Sequence, residues 1–333
     1  MRSSKPARRI GLALTLSGCV LAGAVCAQSA SPRDPLGKIN AALQAGQADV
    51  ALSAIRALPQ GGTQSAEAQN LACRVHFTLR QWDAAVVECQ RATRLDTKNA
   101  RYHLWLGRAL GEKAGHASFL SAYSLGKAAR SEFEQAARLN PRDAEALTDL
   151  GEFYREAPGI VGGGTDKTEQ IVSQLDAFDQ ARAHQLRARI AEGRSDFGTA
   201  EREFKAAVSS SPHPALHWTN LASFFRRRQR WQDLDWAIHN SYTAASRDRG
   251  ATIAFYDGAG VLTESKRDPA FAAKLLETYL AADTRTEEGP SFEAHLRLAH
   301  LKFQLGDRAA AERERSAALG LAHDYKPALD AKF

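Results

Sequence analysis

His103-Leu-Trp-Leu-Gly-Arg-Ala-Leu110, Leu147-Thr-Asp-Leu-Gly-Glu-Phe-Tyr154 and Trp218-Thr-Asn-Leu-Ala-Ser-Phe-Phe225 share one pattern. A large residue or histidine stands at i, large apolar residues stand at i+3 and i+7, and Gly or Ala stands at i+4. On a helix these positions share one face, and the small residue lets a second helix approach closely. The second helix follows downstream, with Ala129/Phe133/Ala136 or Ala200/Phe204/Ala207 as its apolar stripe. Similar endings recur at Ala92-Thr-Arg-Leu-Asp96, Ala136-Ala-Arg-Leu-Asn-Pro141, Ala206-Ala-Val-Ser-Ser-Ser-Pro212 and Ala317-Ala-Leu-Gly-Leu321. Asn, Asp, Ser and Pro after a periodic run are helix-stop signals.

These motifs recur at a period of roughly 34 residues and resemble the tetratricopeptide repeat family, whose W-x2-L-G-x2-Y…A-x3-F…A…P pattern they match in register. About eight units are expected, beginning near Leu36, Ala66, Ala100, Ala144, Ala181, Pro214, Ala251 and Ser291. The seventh, with Gly258 and Gly260 in its first helix, is expected to be the least regular. The first is short, ending at Leu58-Pro59 before Gly61-Gly62. Two units carry insertions: His116 to Leu125 is expected to lengthen the inter-helix turn of the third, and Ala157-Pro-Gly-Ile-Val-Gly-Gly-Gly-Thr165 that of the fourth. The APGIVGGG segment resembles one found in a group of exported bacterial tetratricopeptide repeat proteins. The resemblance implies an all-α, right-handed superhelical solenoid over residues 36–333. One hairpin cannot bury its own apolar face, so neighbours must stack, and the stack has a concave side.

The 333 residues comprise 44 Lys+Arg against 38 Asp+Glu, with 44% hydrophobic residues, 24 Gly, 11 Pro and 4 Cys. That composition excludes collagen-like, disordered and disulfide-framework classes. Only Ile10 to Ala27 approaches membrane-spanning length, which excludes a polytopic membrane protein. Residues 1–27 read as a signal peptide: a basic start (Arg2, Lys5, Arg8, Arg9), an apolar run to Ala24, and the small-residue site Val25-Cys26-Ala27. Cleavage before Gln28 and a polar linker over 28–35 are expected. Leu16-Ser17-Gly18-Cys19 supports the alternative of lipidation at Cys19, although the chain stays apolar after it. Either way the folded part is expected outside the cytoplasm, periplasmic or secreted, or membrane-anchored as a lipoprotein. Removing the four basic residues leaves 40 basic against 38 acidic, so the net charge of +6 is no argument for a nucleic-acid partner.

In register, Cys73 takes the small position of the second unit's first helix and Cys89 the aromatic position of its second. Both lie at equal distance in sequence from Gln81, the centre of the turn, so they face each other across the hairpin. A disulfide suits an oxidising compartment and would add on the order of 3 kcal/mol. Two buried thiols packing as small hydrophobes are the other reading. The same register points Asn70, Arg74, Arg101, Arg108, Thr148, Glu152, Gln185, Arg189, Thr219 and Ser223 towards the concave groove. Arginine predominates in this set and suits carboxylate or carbonyl recognition. The Lys/Asn set with which some family members clamp a terminal carboxylate does not recur at matching positions.

Other motifs carry less. The loop Gly159–Gly164 is no P-loop, because Thr165-Asp166 follows where Lys is required. His213 and His217 have one-face spacing but no acidic third ligand nearby, and there is no HExxH or CxxC, so no metal site and no cofactor are expected. Arg226-Arg-Arg-Gln-Arg230 reads as a solvated helix end. No nucleophile elbow or dinucleotide fingerprint points to catalysis. The expected role is therefore a non-catalytic scaffold that holds a protein, peptide or envelope component in its groove. The alternative is a solute- or polymer-handling component of an envelope transport or secretion system, with a closed pocket at the two inserted loops.

Overall fold

The computed structural model describes residues 34–59, 62 and 65–333. The expected signal peptide, the linker as far as Arg33, and Cys19 lie outside the described residues. Helices pair in sequence order: α1 (Pro35–Gln44) with α2 (Ala48–Arg56), α3 (Ala66–Thr78) with α4 (Trp82–Leu95), α5 (Ala100–Gly115) with α6 (Phe119–Leu139), and α7 (Ala144–Glu156) with α8 (Thr165–Asp176). The second half repeats the arrangement: α9 (Gln180–Gly193) with α10 (Phe197–Ser210), α11 (Ala215–Arg227) with α12 (Trp231–Ala245), α13 (Ile253–Glu264) with α14 (Pro269–Ala281), and α15 (Ser291–Gln304) with α16 (Arg308–Leu321). A short α17 (Lys326–Asp330) follows, and the described residues include no strand. The protein is an all-α solenoid of antiparallel hairpins.

Polar residues at helix entries set the starts. Ser65, Asp143, Asp179, Asp196, Asp268 and Asp307 each accept a hydrogen bond from a backbone amide in the first turn. Such caps contribute about 1 kcal/mol each. Six hairpins turn in the same way. Gly46, Arg80, Ser195, Gln229, Lys266 and Gly306 each adopt a left-handed conformation, with φ between 53° and 87°. The next amide bonds back to the carbonyl five residues earlier, as from Gln81 to His76 and from Asp196 to Ala191. This Schellman-type closure satisfies the last carbonyls of the first helix.

Stacking depends on the small residues. A Cβ at Gly107 would stand 2.7 Å from the Phe133 ring, and one at Gly151 would stand 2.7 Å from Leu186. The first helix therefore lies against its neighbours at backbone distance. The seventh unit is regular rather than broken: α13 runs through Gly258, which serves as the small position against Leu275.

The insertions behave differently from each other. Contrary to expectation, residues 116–125 do not form a long turn; α6 begins at Phe119 and runs for 21 residues. No Gly or Pro interrupts 116–125, so the added chain extends the helix. The fourth unit does form a loop. Pro158 ends α7, a 3-10 turn covers Gly159–Val161, and Gly162 is left-handed at φ 97°. At Gly163 a Cβ would fall 1.8 Å from the Ala157 carbonyl oxygen, so no larger residue fits there.

The row bends until its ends meet. Ile39, Leu43 and Leu71 from the first helices share a buried cluster with Phe292, Leu296 and Tyr325 from the last. Ser291 Oγ donates to the Ala45 carbonyl at 2.9 Å, and the His323 amide donates to Asp49 at 2.8 Å. Gly46 permits the contact, since a Cβ there would lie 2.2 Å from the Ser291 nitrogen. The first helices of the hairpins thus surround an interior.

Candidate partner-binding cavity

The segment between α14 and α15 reaches into that interior and takes up the first groove positions. Arg74 is 1% exposed and forks onto Glu287, with Nε 2.8 Å from Oε2, while Gln44 Nε2 donates to the same carboxylate at 3.1 Å. Asn70 is fully buried nearby on α3, and its amide makes no hydrogen bond. Neither residue faces an open groove, which corrects the expectation for both.

Most of the other expected groove residues are also engaged within the chain. Arg108 is held by Glu145 and Asp149, each at 2.6 Å. Burial alone would depress its pKa, but these carboxylates outweigh it and raise the value. Arg189 lies between Glu152 and Glu192 at 3.7 and 3.8 Å, and Glu152 accepts from Arg155. The Thr148 hydroxyl bonds to the Ala144 carbonyl, and Gln185 accepts from Asn220. Thr219 is buried, and its hydroxyl meets Ser241 and the Ala215 carbonyl, so it serves its own hairpin. Arg101, which is exposed, and Ser223 have no side-chain partner among the described residues, and both line cavity walls.

The interior holds a cavity of about 720 Å³ beside Thr78, Ser223 and Asp257, one of about 890 Å³ beside Gln185 and His217, and one of about 410 Å³ beside Arg101 and Trp105. Glu288 borders all three, so they communicate around its side chain. Carboxylates in these walls outnumber arginines roughly two to one, the reverse of the expected basic groove. Burial and the nearby Glu288 push the Asp257 carboxyl up to about 7, against the pull of Arg297. Desolvation against the cavity wall raises Glu288 as well, opposed by Arg108, although its side chain stays exposed on the cavity side. His217 is driven down to about 4 by burial and then by Arg182, so it is neutral. Asp257, Glu288 and Glu112 have no ion pair or hydrogen bond among the described residues, and none of them was picked out by the repeat pattern. Glu287 and Glu288 sit in a connector that no register covers; two adjacent acids before Gly289-Pro290 were the available signal.

The remaining motifs resolve into structure. Cys73 and Cys89 are joined by a disulfide, with Cα atoms 5.1 Å apart. In the glycine loop the amides of Val161, Gly162, Gly163 and Gly164 all bond to Pro158, Gly159 or Tyr154 carbonyls, so these four amides close the turn rather than point at a ligand. Arginines of the basic run link neighbouring hairpins: Arg226 pairs with Glu264, Arg227 with Glu192, and Arg230 with Glu201 and Asp233. His213 pairs with Asp248 rather than with His217. Asp49, His323 and Asp324 cluster at the surface, where His323 serves to clasp the two ends.

The interior therefore defines a class: a helical-repeat solenoid with open, communicating polar cavities along its inner side. No model of a known protein family matches the chain. Superkiller complex protein 3 of Mus musculus is 31% identical over 126 residues, covering 36% of this chain and 7% of that protein. The chain thus spans only a small part of that relative. The crystal structure of TTC0263, a thermophilic TPR protein of Thermus thermophilus, has 20% identity and a TM-score of 0.48, covering 57% of this chain and 97% of that one. The Cut9–Hcn1 hetero-tetramer of APC/C has 11% identity and a TM-score of 0.39, covering 90% of this chain and 62% of that one. The all-α solenoid rests on the hairpins themselves.

Proposed function

We propose that the protein is a non-catalytic scaffold whose interior holds a segment of another protein or peptide. Repeat solenoids of this kind generally present such surfaces for binding. The observation that carries the reading is the set of charged side chains, Arg101, Glu112, Asp257 and Glu288, that face the interior without a partner among the described residues. Arg101, Glu112 and Glu288 are exposed and Asp257 is half-buried, so the fold leaves these charges available to an incoming polar chain. Small-solute handling is the weaker reading, because it calls for a closed pocket and these cavities run into one another past Glu288. The basic start and apolar run of residues 1–27 support export to the periplasm or beyond, with Cys19 lipidation as the alternative. The Cys73–Cys89 bond suits that compartment.

A photo-reactive amino acid at Arg101 or Ser223 should crosslink one protein species in living cells, in the envelope or periplasmic fraction. The same group at solvent-facing Arg202 should not. Absence of any adduct from both interior positions would overturn the scaffold reading.

A further inference from the structure

The two hairpins that carry insertions meet at a cleft of about 860 Å³ beside the interior. Phe77, Trp105, Phe133 and Phe153 form its floor, with the Phe77 and Trp105 ring centroids 5.3 Å apart and edge-to-face. Its rim is Phe119, 79% exposed, on the extended α6, and Ile160, 67% exposed, in the glycine loop. Leu120, 80% exposed, stands next to the rim. Solenoid stacking uses none of these three side chains, and an exposed apolar cluster of this kind marks an interaction surface. The walls are braced against collapse. Arg130 Nη1 donates to the Val161 carbonyl at 3.3 Å, and Lys167 Nζ donates to the Gly162 carbonyl at 2.8 Å.

The charge at the inner end is one-sided. Glu112 and Glu288 line both the cleft and the central cavity, and both are exposed with no ion pair among the described residues. The arginine there, Arg108, is already neutralised by Glu145 and Asp149, and the neighbouring Glu152 and Glu156 are held by Arg155. The field left over is negative. Resting on the scaffold reading above, we propose that this cleft seats a partner peptide that carries two or three large apolar side chains followed by Lys or Arg. Its apolar residues cover the aromatic floor between Phe119 and Ile160, and its basic end meets Glu112 and Glu288. From there the chain continues into the central cavity. An anionic lipid or fatty acid would place its headgroup against the same two carboxylates and be repelled.

Fluorescence anisotropy of a labelled 14-residue helical peptide, with leucines along one face and lysines at one end, tests the idea on the purified chain. Twin peptides replace the lysines by glutamates or the leucines by serines. Both twins should bind at least tenfold more weakly. Phe119→Glu and Ile160→Glu, at exposed positions, should each weaken the parent peptide about tenfold with an unchanged circular-dichroism melt. The double variant Glu112→Lys/Glu288→Lys should reverse the preference between the lysine and glutamate peptides. Equal or tighter binding of the glutamate twin overturns the proposal, as does indifference to both rim variants. Displacement of the peptide by a fluorescent fatty acid would assign the cleft to lipid instead. A dimer in sedimentation that Ile160→Glu disperses would assign it to a second copy. Interior crosslinks that persist in Ile160→Glu cells, together with no peptide binding, would sink this inference while leaving the scaffold reading intact.

Discussion

Six hairpins close through one left-handed residue and a back-bonded amide, whereas the third and fourth close through added chain. In the six regular units inner-face residues such as Arg74, Arg189 and Thr219 are spent on contacts within the chain, while Ser223 and Asp257 are left to the cavity. In the two extended units, chain is retained that stacking does not require, and it carries the most exposed large apolar residues of the described chain. The difference separates what holds the row together from what the row can offer a partner.

That contrast can be broken by mutation. The largest effect is expected where the ends of the row meet. Arg74→Ala would leave Glu287 buried without its partner and should cost about 3–5 kcal/mol in urea unfolding. Arg130→Ala, at the inserted loop and partly exposed, should cost about 1 kcal/mol or less. A loss for Arg74→Ala no larger than for Arg130→Ala would show that the ends are not clasped in solution.

Next in size is the glycine pair. Gly107→Ala drives a methyl group into the Phe133 ring and should destabilise by about 1–3 kcal/mol. Gly126→Ala, in the extended α6, meets Val161 only at the ordinary contact distance of 3.5 Å. It should be neutral or gain about 0.5–1 kcal/mol from helix propensity. Equal melting shifts for the two would mean that the stacked and inserted regions are packed alike.

A pH experiment sharpens the account of the interior. The Asp257 carboxyl is raised to about 7, so the folded state holds its proton where the unfolded chain has released it. Its contribution is present at low pH and is lost as pH rises from about 4 to about 7. His217, lowered to about 4, works in the opposite direction: its contribution is present above about 6.5 and is lost as pH falls towards 4. Asp257→Asn should therefore be more stable than the parent at pH 7.5, by at most about 4 kcal/mol, with the difference gone near pH 4. Equal stabilities of Asp257→Asn and the parent at both pH values would place the Asp257 carboxyl in free contact with water.

The smallest effect lies in the regular turns. Gln229 and Lys266 hold positive φ without being glycine, and Gln229→Gly should stabilise by about 1 kcal/mol by removing the left-handed penalty. A destabilised variant would show that the Gln229 side chain holds the turn in some other way.

Much of the fold was legible because its determinants are local. Gly107 and Gly151 could be read as close-approach positions from their place between Leu106 and Leu110, and between Leu150 and Tyr154. The Cys73–Cys89 level followed from helix geometry about Gln81, and several helix ends from the Asn, Asp, Ser and Pro that follow them. The cavity was much less legible. Register placed Arg74 and Arg108 on the groove side, but it could not reveal that Glu287 would bury Arg74 or that Glu145 and Asp149 would hold Arg108. Thr219 faces Ser241 because two helices cross there, and one helix's spacing does not record that crossing. The left-handed turns were hidden as well, since Arg, Ser, Gln and Lys occupy four of the six and carry no glycine signal.

The sequence alone determined the hairpin, its period and its need for neighbours, because helix formation and apolar patterning depend on residues within a few turns of one another. Only the tertiary structure decided that the two ends meet, that an acidic connector fills the first groove positions, and that two unrelated insertions share one cleft. Glu287 lies 213 residues from Arg74 in the chain. Contacts over such separations depend on the accumulated bend of every hairpin between them, and no local pattern encodes that sum.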